Sequence, residues 1–246
     1  MSDDIHPRAH PRGFPRSRRF ALAALPAVAL AAACARDATD AKDTKDTADT
    51  KDTAPPQPAN PQQAIDTLME GNARFAARTP QLRSVEDIDE LWTRVVTGQE
   101  PFAMVLGCAD SRLAPEVLFD QFVGDIFVVR DAGNIADSAT NLGSLEFGHA
   151  VLKAKALMVL GHSGCGAVKA AYDNATPGTN IQAIVDHIKP NITGATNLDD
   201  AIIRNVRAVK ESVRRGSPLL AAAEQSGQFA IVGGVYDIAA ATVSLV

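Results

Sequence analysis

Four short runs of nearly unbroken apolar residues limit what this chain can fold into: Phe102–Leu106, Ile126–Val129, Ala156–Leu160 and Phe229–Val235. Each has the length of a strand, and none shows the polar alternation of a sheet with one wet face. Both faces of the sheet must therefore be covered. Helical patterns fill the intervals. Ala64, Ile65, Leu68 and Met69 recur at helical spacing, and a second helix is expected over Val85–Val96. Further helices are expected after Pro115, over 141–152, from near Cys165, and over 181–189, 199–214 and 218–225. Residues 241–246 suit a short edge strand. The expectation is an α/β fold: a central, mostly parallel sheet of four to five strands flanked by helices, preceded by an N-terminal helical arm.

Two of the apolar runs end in chemistry. The first runs into Gly107 and then Cys108-Ala109-Asp110-Ser111-Arg112; the third runs into Gly161 and then His162-Ser163-Gly164-Cys165-Gly166. Ligands of open parallel sheets bind beyond the carboxyl ends of the strands, so both motifs belong to one sheet edge. Two thiolates and an imidazole suit Zn2+, and three protein ligands leave a fourth position for water or for Asp110. With two thiolates the ligand set cancels the metal charge, yet a coordinated water still loses its proton near neutral pH. Arg112, a fixed cation, is placed to hold the Asp110 carboxylate off the metal through a paired hydrogen bond. Asp110 is then free to orient the attacking water. If the pair breaks, Asp110 caps the metal.

Two other readings stay open on the residues alone. Cys108 and Cys165 are the only cysteines after Cys34, so a disulfide in an exported, non-enzymatic domain is possible on composition. A structural zinc would need Asp110 as its fourth ligand. The glycines around His162 lack the spacing and the Lys-Ser/Thr ending of phosphate loops. His149 and His187 read as structural or solvated, and Asn191-Ile192-Thr193 is a formal glycosylation sequon expected to be without consequence.

The N-terminal quarter has a different character. Arg16-Ser17-Arg18-Arg19 precedes an Ala/Leu-rich run over 21–33, the layout of an export signal spanning 1–34; the paired arginines suggest the twin-arginine route. Cys34 after three alanines suggests a lipidated cysteine and a possible lipid anchor. Residues 35–60, with repeated Asp-Thr-Lys units and Pro55-Pro56, have almost nothing apolar to bury and are expected to form a disordered tether. The expected location is the periplasm or cell envelope. Five Arg and two Asp fall in 1–34, leaving 19 Lys/Arg against 27 Asp/Glu, a net charge of −8, which argues against nucleic acid as a partner. Residues 61–246 suffice for one domain.

Across 61–246 the chain resembles the β-class carbonic anhydrases. The resemblance is carried by Gly71–Phe75, Cys108–Arg112, Gly124–Arg130, Ser144–Glu146, Gly161–Ala167 and Gly233–Asp237. It implies a β-carbonic-anhydrase-like fold, a homodimer or tetramer with active sites at the dimer interface, and one Zn2+ per subunit on Cys108, His162 and Cys165. It implies Asp110 and Arg112 as catalytic dyad, and reversible hydration of carbon dioxide to bicarbonate and a proton. It further implies a substrate lining of Gln99, Phe127, Ala132, Phe147 and Gly166, with Ala132 and Phe147 standing where Val and Tyr are common. The family's closed form often carries Trp three residues before the first zinc cysteine; Val105 stands there, so the water-ligated form is expected. Hydrolysis of carbonyl sulfide or carbon disulfide is the enzymatic alternative on the same fold.

Overall fold

A computed structural model describes residues 57–136 and 138–246. The signal of residues 1–34, Cys34 and the tether up to residue 56 lie outside the described residues. Among the described residues no helix is long and apolar enough to cross a membrane.

The described residues open with α1 (Pro61–Ala77) and α2 (Val85–Thr97). Asn60 caps α1 by accepting from Gln63 N at 2.9 Å, and Pro61 occupies the first turn, where a missing N–H costs nothing. Ser84 and Asp87 form a reciprocal capping box on α2. The rest alternates: β1 (Ala103–Gly107), α3 (Pro115–Leu118), β2 (Ile126–Arg130), α4 (Ala139–Ala150), β3 (Ala156–His162), α5 (Gly166–Tyr172), α6 (Thr179–Asn191), α7 (Leu198–Gly216), α8 (Pro218–Gln225), β4 (Ala230–Asp237) and β5 (Thr242–Leu245). All the expected strands and helices form. Boundaries move by a few residues where caps decide them: α4 starts at 139 because Ser138 accepts from Asn141 N, and β3 extends through His162, making the ligand itself the last strand residue.

The sheet has the order β2-β1-β3-β4-β5, with four parallel strands and β5 antiparallel at one edge. From β1 the chain moves outward to β2, then returns to build β3 and β4 on the other side. The order therefore reverses between β1 and β3, and a crevice opens beyond their carboxyl ends at that point.

Period-two alternation sorts the strand residues between two cores. Ala103, Val105, Ala156, Met158 and Leu160 face the layer holding Leu68, Leu118, Val168 and Ile188. Met104, Leu106, Leu157 and Val159 face Leu145, Val206, Val209, Val213 and Leu220. Burying each such side chain fully contributes about 1.5–3 kcal/mol, the dominant stabilising term.

Two features lock the layers to the strand ends. Asn72, buried in α1, donates to the carbonyls of Leu118 and Ala241 and accepts from Val243 N at 2.7 Å, tying the helical arm to β5. On the other face α7 lies directly against backbone. A Cβ at Gly161 would come within 2.6 Å of Val206, and one at Gly233 within 2.8 Å of the same side chain. The glycines let the helix approach the end of β3 at backbone distance.

Candidate metal and active site

Cys108 follows the last residue of β1, His162 ends β3, and Cys165 caps the N-terminus of α5. In register, Gly107 pairs with Leu160, which brings Cys108 level with Gly161 and next to His162. The three side chains are buried, and their ligand atoms lie within 4.8 Å of one another. The sulfurs are 4.0 Å apart and both cysteines are free. A disulfide requires about 2.0 Å. Two sulfurs on one tetrahedral zinc, at about 2.3 Å each, stand about 3.8 Å apart. The disulfide alternative is therefore corrected: the observed spacing is that of co-ligands.

The histidine has the matching signature. Its Nδ1 lies 3.1 Å from the Ser163 carbonyl. A carbonyl only accepts, so Nδ1 carries the proton and the Nε2 lone pair faces the sulfurs. Nε2 is buried without a hydrogen-bond partner, one of two such side-chain atoms among the described residues, the other being Asn134 Nδ2. An orphaned imidazole nitrogen converging on two thiols is costly unless a cation sits between them. The donor set fits Zn2+.

Backbone geometry prepares the sulfurs. Bonding to Cys165 lowers the Cys108 pKa most; His162 and the Gly133 N–H, 3.3 Å from its sulfur, lower it further. Cys165 is pushed up by the same sulfur contact and by burial, against the pull of N–H groups in the first turn of α5. The two shifts run in opposite directions because the sulfurs share one contact.

Asp110 stands beside the cluster, its Oδ2 3.9 Å from His162 Nε2. Arg112 grips both carboxylate oxygens, Nε to Oδ1 at 2.9 Å and Nη2 to Oδ2 at 2.7 Å, and its own N–H adds a bond at 3.0 Å. These bonds, led by the guanidinium, hold the Asp110 pKa below the ordinary carboxylate range. Arg130, at the end of β2, steadies the loop from behind by donating to the carbonyls of Cys108 and Asp110 at 3.0 and 2.6 Å. Sequence reasoning passed over Arg130 as a site residue. Its signal was positional: a cation ending the strand beside the one that delivers Cys108.

The expected substrate lining divides. Ala132 and Gly166 adjoin the cluster through Gly133 and Cys165. Gln99 does not. It precedes β1, at the opposite end of the strand from Cys108, about 16 Å away or more at the rise of a strand. There it lines a cleft with Phe102, Val151 and Lys155. Phe127 pairs with Met104, well back along β2, and packs at 6.4 Å between ring centroids on Phe147, which is 45% exposed. In one chain Gln99, Phe127 and Phe147 thus lie away from the ligands. His149 is structural, bonded to the Ala154 carbonyl and packed on Phe229; His187 lies within α6.

Comparison with known proteins agrees with this geometry. A family model for carbonic anhydrase matches residues 103–243. Carbonic anhydrase 2 of Mycobacterium tuberculosis is 38% identical over 188 residues, covering 73% of this chain and 89% of its own. Among solved structures, the β-carbonic anhydrase CafA of Aspergillus fumigatus superposes with a TM-score of 0.60 at 21% identity, covering 74% of this chain and 90% of its own. The tetrameric β-carbonic anhydrases of Sordaria macrospora give 0.58 at 22% identity, covering 74% and 96%.

Metal analysis of the purified protein should find about one zinc per chain with both core thiols reduced. Cys165→Ser should lose the metal, and zinc retention in that variant at wild-type stoichiometry would reject the ligand assignment.

Proposed function

Since this chain belongs to the β-class carbonic anhydrase family and catalyses the reversible hydration of carbon dioxide to bicarbonate and a proton, we propose that Asp110 and Arg112 form its catalytic dyad beside zinc held by Cys108, His162 and Cys165. The observation that carries this reading is the convergence of two thiols and an unpartnered imidazole nitrogen beside a carboxylate already latched by arginine. Zinc in such a site supplies a water acidified to a pKa of about 7, hence a nucleophile near neutral pH.

The residues of the chain do the rest. Asp110 is ionised and can only accept, so it takes a hydrogen bond from the attacking oxygen and turns a lone pair toward the carbon of the substrate. Arg112 keeps the carboxylate turned aside, so that a zinc held by Cys108, His162 and Cys165 would have its remaining position open to water. The buried apolar walls around Cys108 and Cys165 exclude bulk solvent and favour an uncharged substrate. Hydration yields bicarbonate, and the proton lost by the water passes to solvent.

The lining becomes complete if a second copy brings its own Gln99, Phe127 and Phe147 to the site. The surface supports a homodimer, or a tetramer built from it. On α2, Val85, Ile88, Trp92 and Val96 form an exposed apolar stripe at helical spacing, and Phe147 and Val151 extend apolar exposure along α4. The relatives from Sordaria macrospora are themselves tetrameric.

We also propose that the domain is exported and held at the envelope through Cys34. The support is the basic stretch, short apolar run and cysteine of residues 1–34.

Asp110→Asn should keep its zinc but lose 10²-fold or more in hydration rate by stopped-flow assay, roughly the worth of one positioned acid–base group; full activity would refute the dyad. Ile88→Glu with Trp92→Glu should yield a zinc-loaded monomer by light scattering with little activity, and a fully active monomer would sink the shared-site reading. Cell fractionation should place the wild type in the membrane fraction and Cys34→Ser in the soluble envelope fraction; cytoplasmic recovery of the wild type would reject export.

A further inference from the structure

The buried stripe of α7 runs Ala201, Ile202, Asn205, Val206, Val209 and Val213. Asn205 is its one polar member and is fully buried. An amide in that position is costly unless its groups are bonded. Its Nδ2 donates to the Gly133 carbonyl at 3.0 Å. Because a carbonyl only accepts, the amide must present its NH2 there and turn Oδ1 away. On that side Asn191, the last residue of α6, donates its own Nδ2 to Asn205 Oδ1 at 3.0 Å. Two amides in series are thus oriented by a single acceptor.

The acceptor sits at the metal site. Gly133 has φ of +79°, in the region that favours glycine, and a Cβ there would lie 2.5 Å from Ile188. Its N–H points at Cys108 Sγ, 3.3 Å away. The neighbouring turn is closed by Asn134 N to the Asp131 carbonyl at 2.8 Å. The N–H and carbonyl of Gly133 belong to the two peptides that share its Cα. Pinning the carbonyl from α7 therefore restricts how the N–H side can swing.

We infer that Asn205 is a positioning residue for the metal site, holding the Gly133 turn so that its N–H donates to the Cys108 sulfur. This rests on Cys108 being a metal ligand. An N–H···S bond withdraws electron density from the thiolate and fixes the direction of the sulfur. Groups in this outer layer typically contribute 10–100-fold in metal affinity or activity.

Cobalt-substituted protein reads this directly, because thiolate-to-cobalt charge transfer absorbs in the near ultraviolet and shifts with electron density on sulfur. Asn205→Leu keeps the volume and removes the donor. Its band should move to lower energy, and a chelator should strip the metal about 10-fold faster than from wild type. Asn191→Asp tests the same link from the half-buried end of the network. A carboxylate only accepts, so it recruits the Asn205 NH2 and turns Oδ1 toward the Gly133 carbonyl. It should reproduce the shift with a smaller loss of thermal stability. A merely structural asparagine would lower the melting temperature and leave the band in place. An unchanged band and unchanged metal-loss rate in Asn191→Asp, or in folded Asn205→Leu, overturns the inference. A wild-type protein with no thiolate–cobalt band fails differently: it removes the ligand assignment of Cys108, and this inference with it.

Discussion

The parallel pairing of β1 with β3 sets Gly107 against Leu160, and the two strands release their ligands almost level: Cys108 just past one end, His162 as the last residue of the other. Each strand is buried on both faces, so its register is held by two cores at once. A slip of one residue would exchange Val105 and Leu106 between layers and carry Cys108 to the wrong face. The metal-ligand geometry is therefore a by-product of hydrophobic sorting several residues upstream. The reversal of strand order at the same place keeps the crevice open for a ligand.

Around that point two arginines have separate partners. Arg112 pairs with both oxygens of Asp110, and Arg130 donates to backbone carbonyls of the same loop. One cation thus governs the carboxylate and the other the path of the main chain. Backbone N–H groups from Gly133 and the first turn of α5 meet the two sulfurs. The sulfurs and the carboxylate thus have partners in the chain itself, while His162 Nε2 is left for the metal.

Much of this was legible in the residues. Apolar runs of strand length gave the sheet, and the two motifs at their ends gave the ligands, because both signals are local. Gln99, Phe127 and Phe147 show where locality stops. Resemblance placed them at the substrate, yet one chain holds Gln99 at the far end of β1 and Phe127 well back along β2, since a family match carries over a role by position and not the geometry around it. Asn191 is the converse. It reads as a formal sequon without consequence, while its amide is committed to Asn205. That pair had a faint signal: one polar residue at 205 interrupting the apolar positions 202, 206 and 209 of a helix, where nothing but a buried partner justifies an amide.

The close seating of α7 on Gly161 and Gly233 carries a mechanical consequence. Most helix–sheet contacts are cushioned by side chains that can change rotamer when one layer shifts. Here Val206 rests against bare backbone on both strands, so the joint has little compliance. The contact falls on the main chain of β3 at Gly161 and of β4 at Gly233. A side chain larger than hydrogen at 161 would therefore have to displace α7 or the strand itself, one residue before His162.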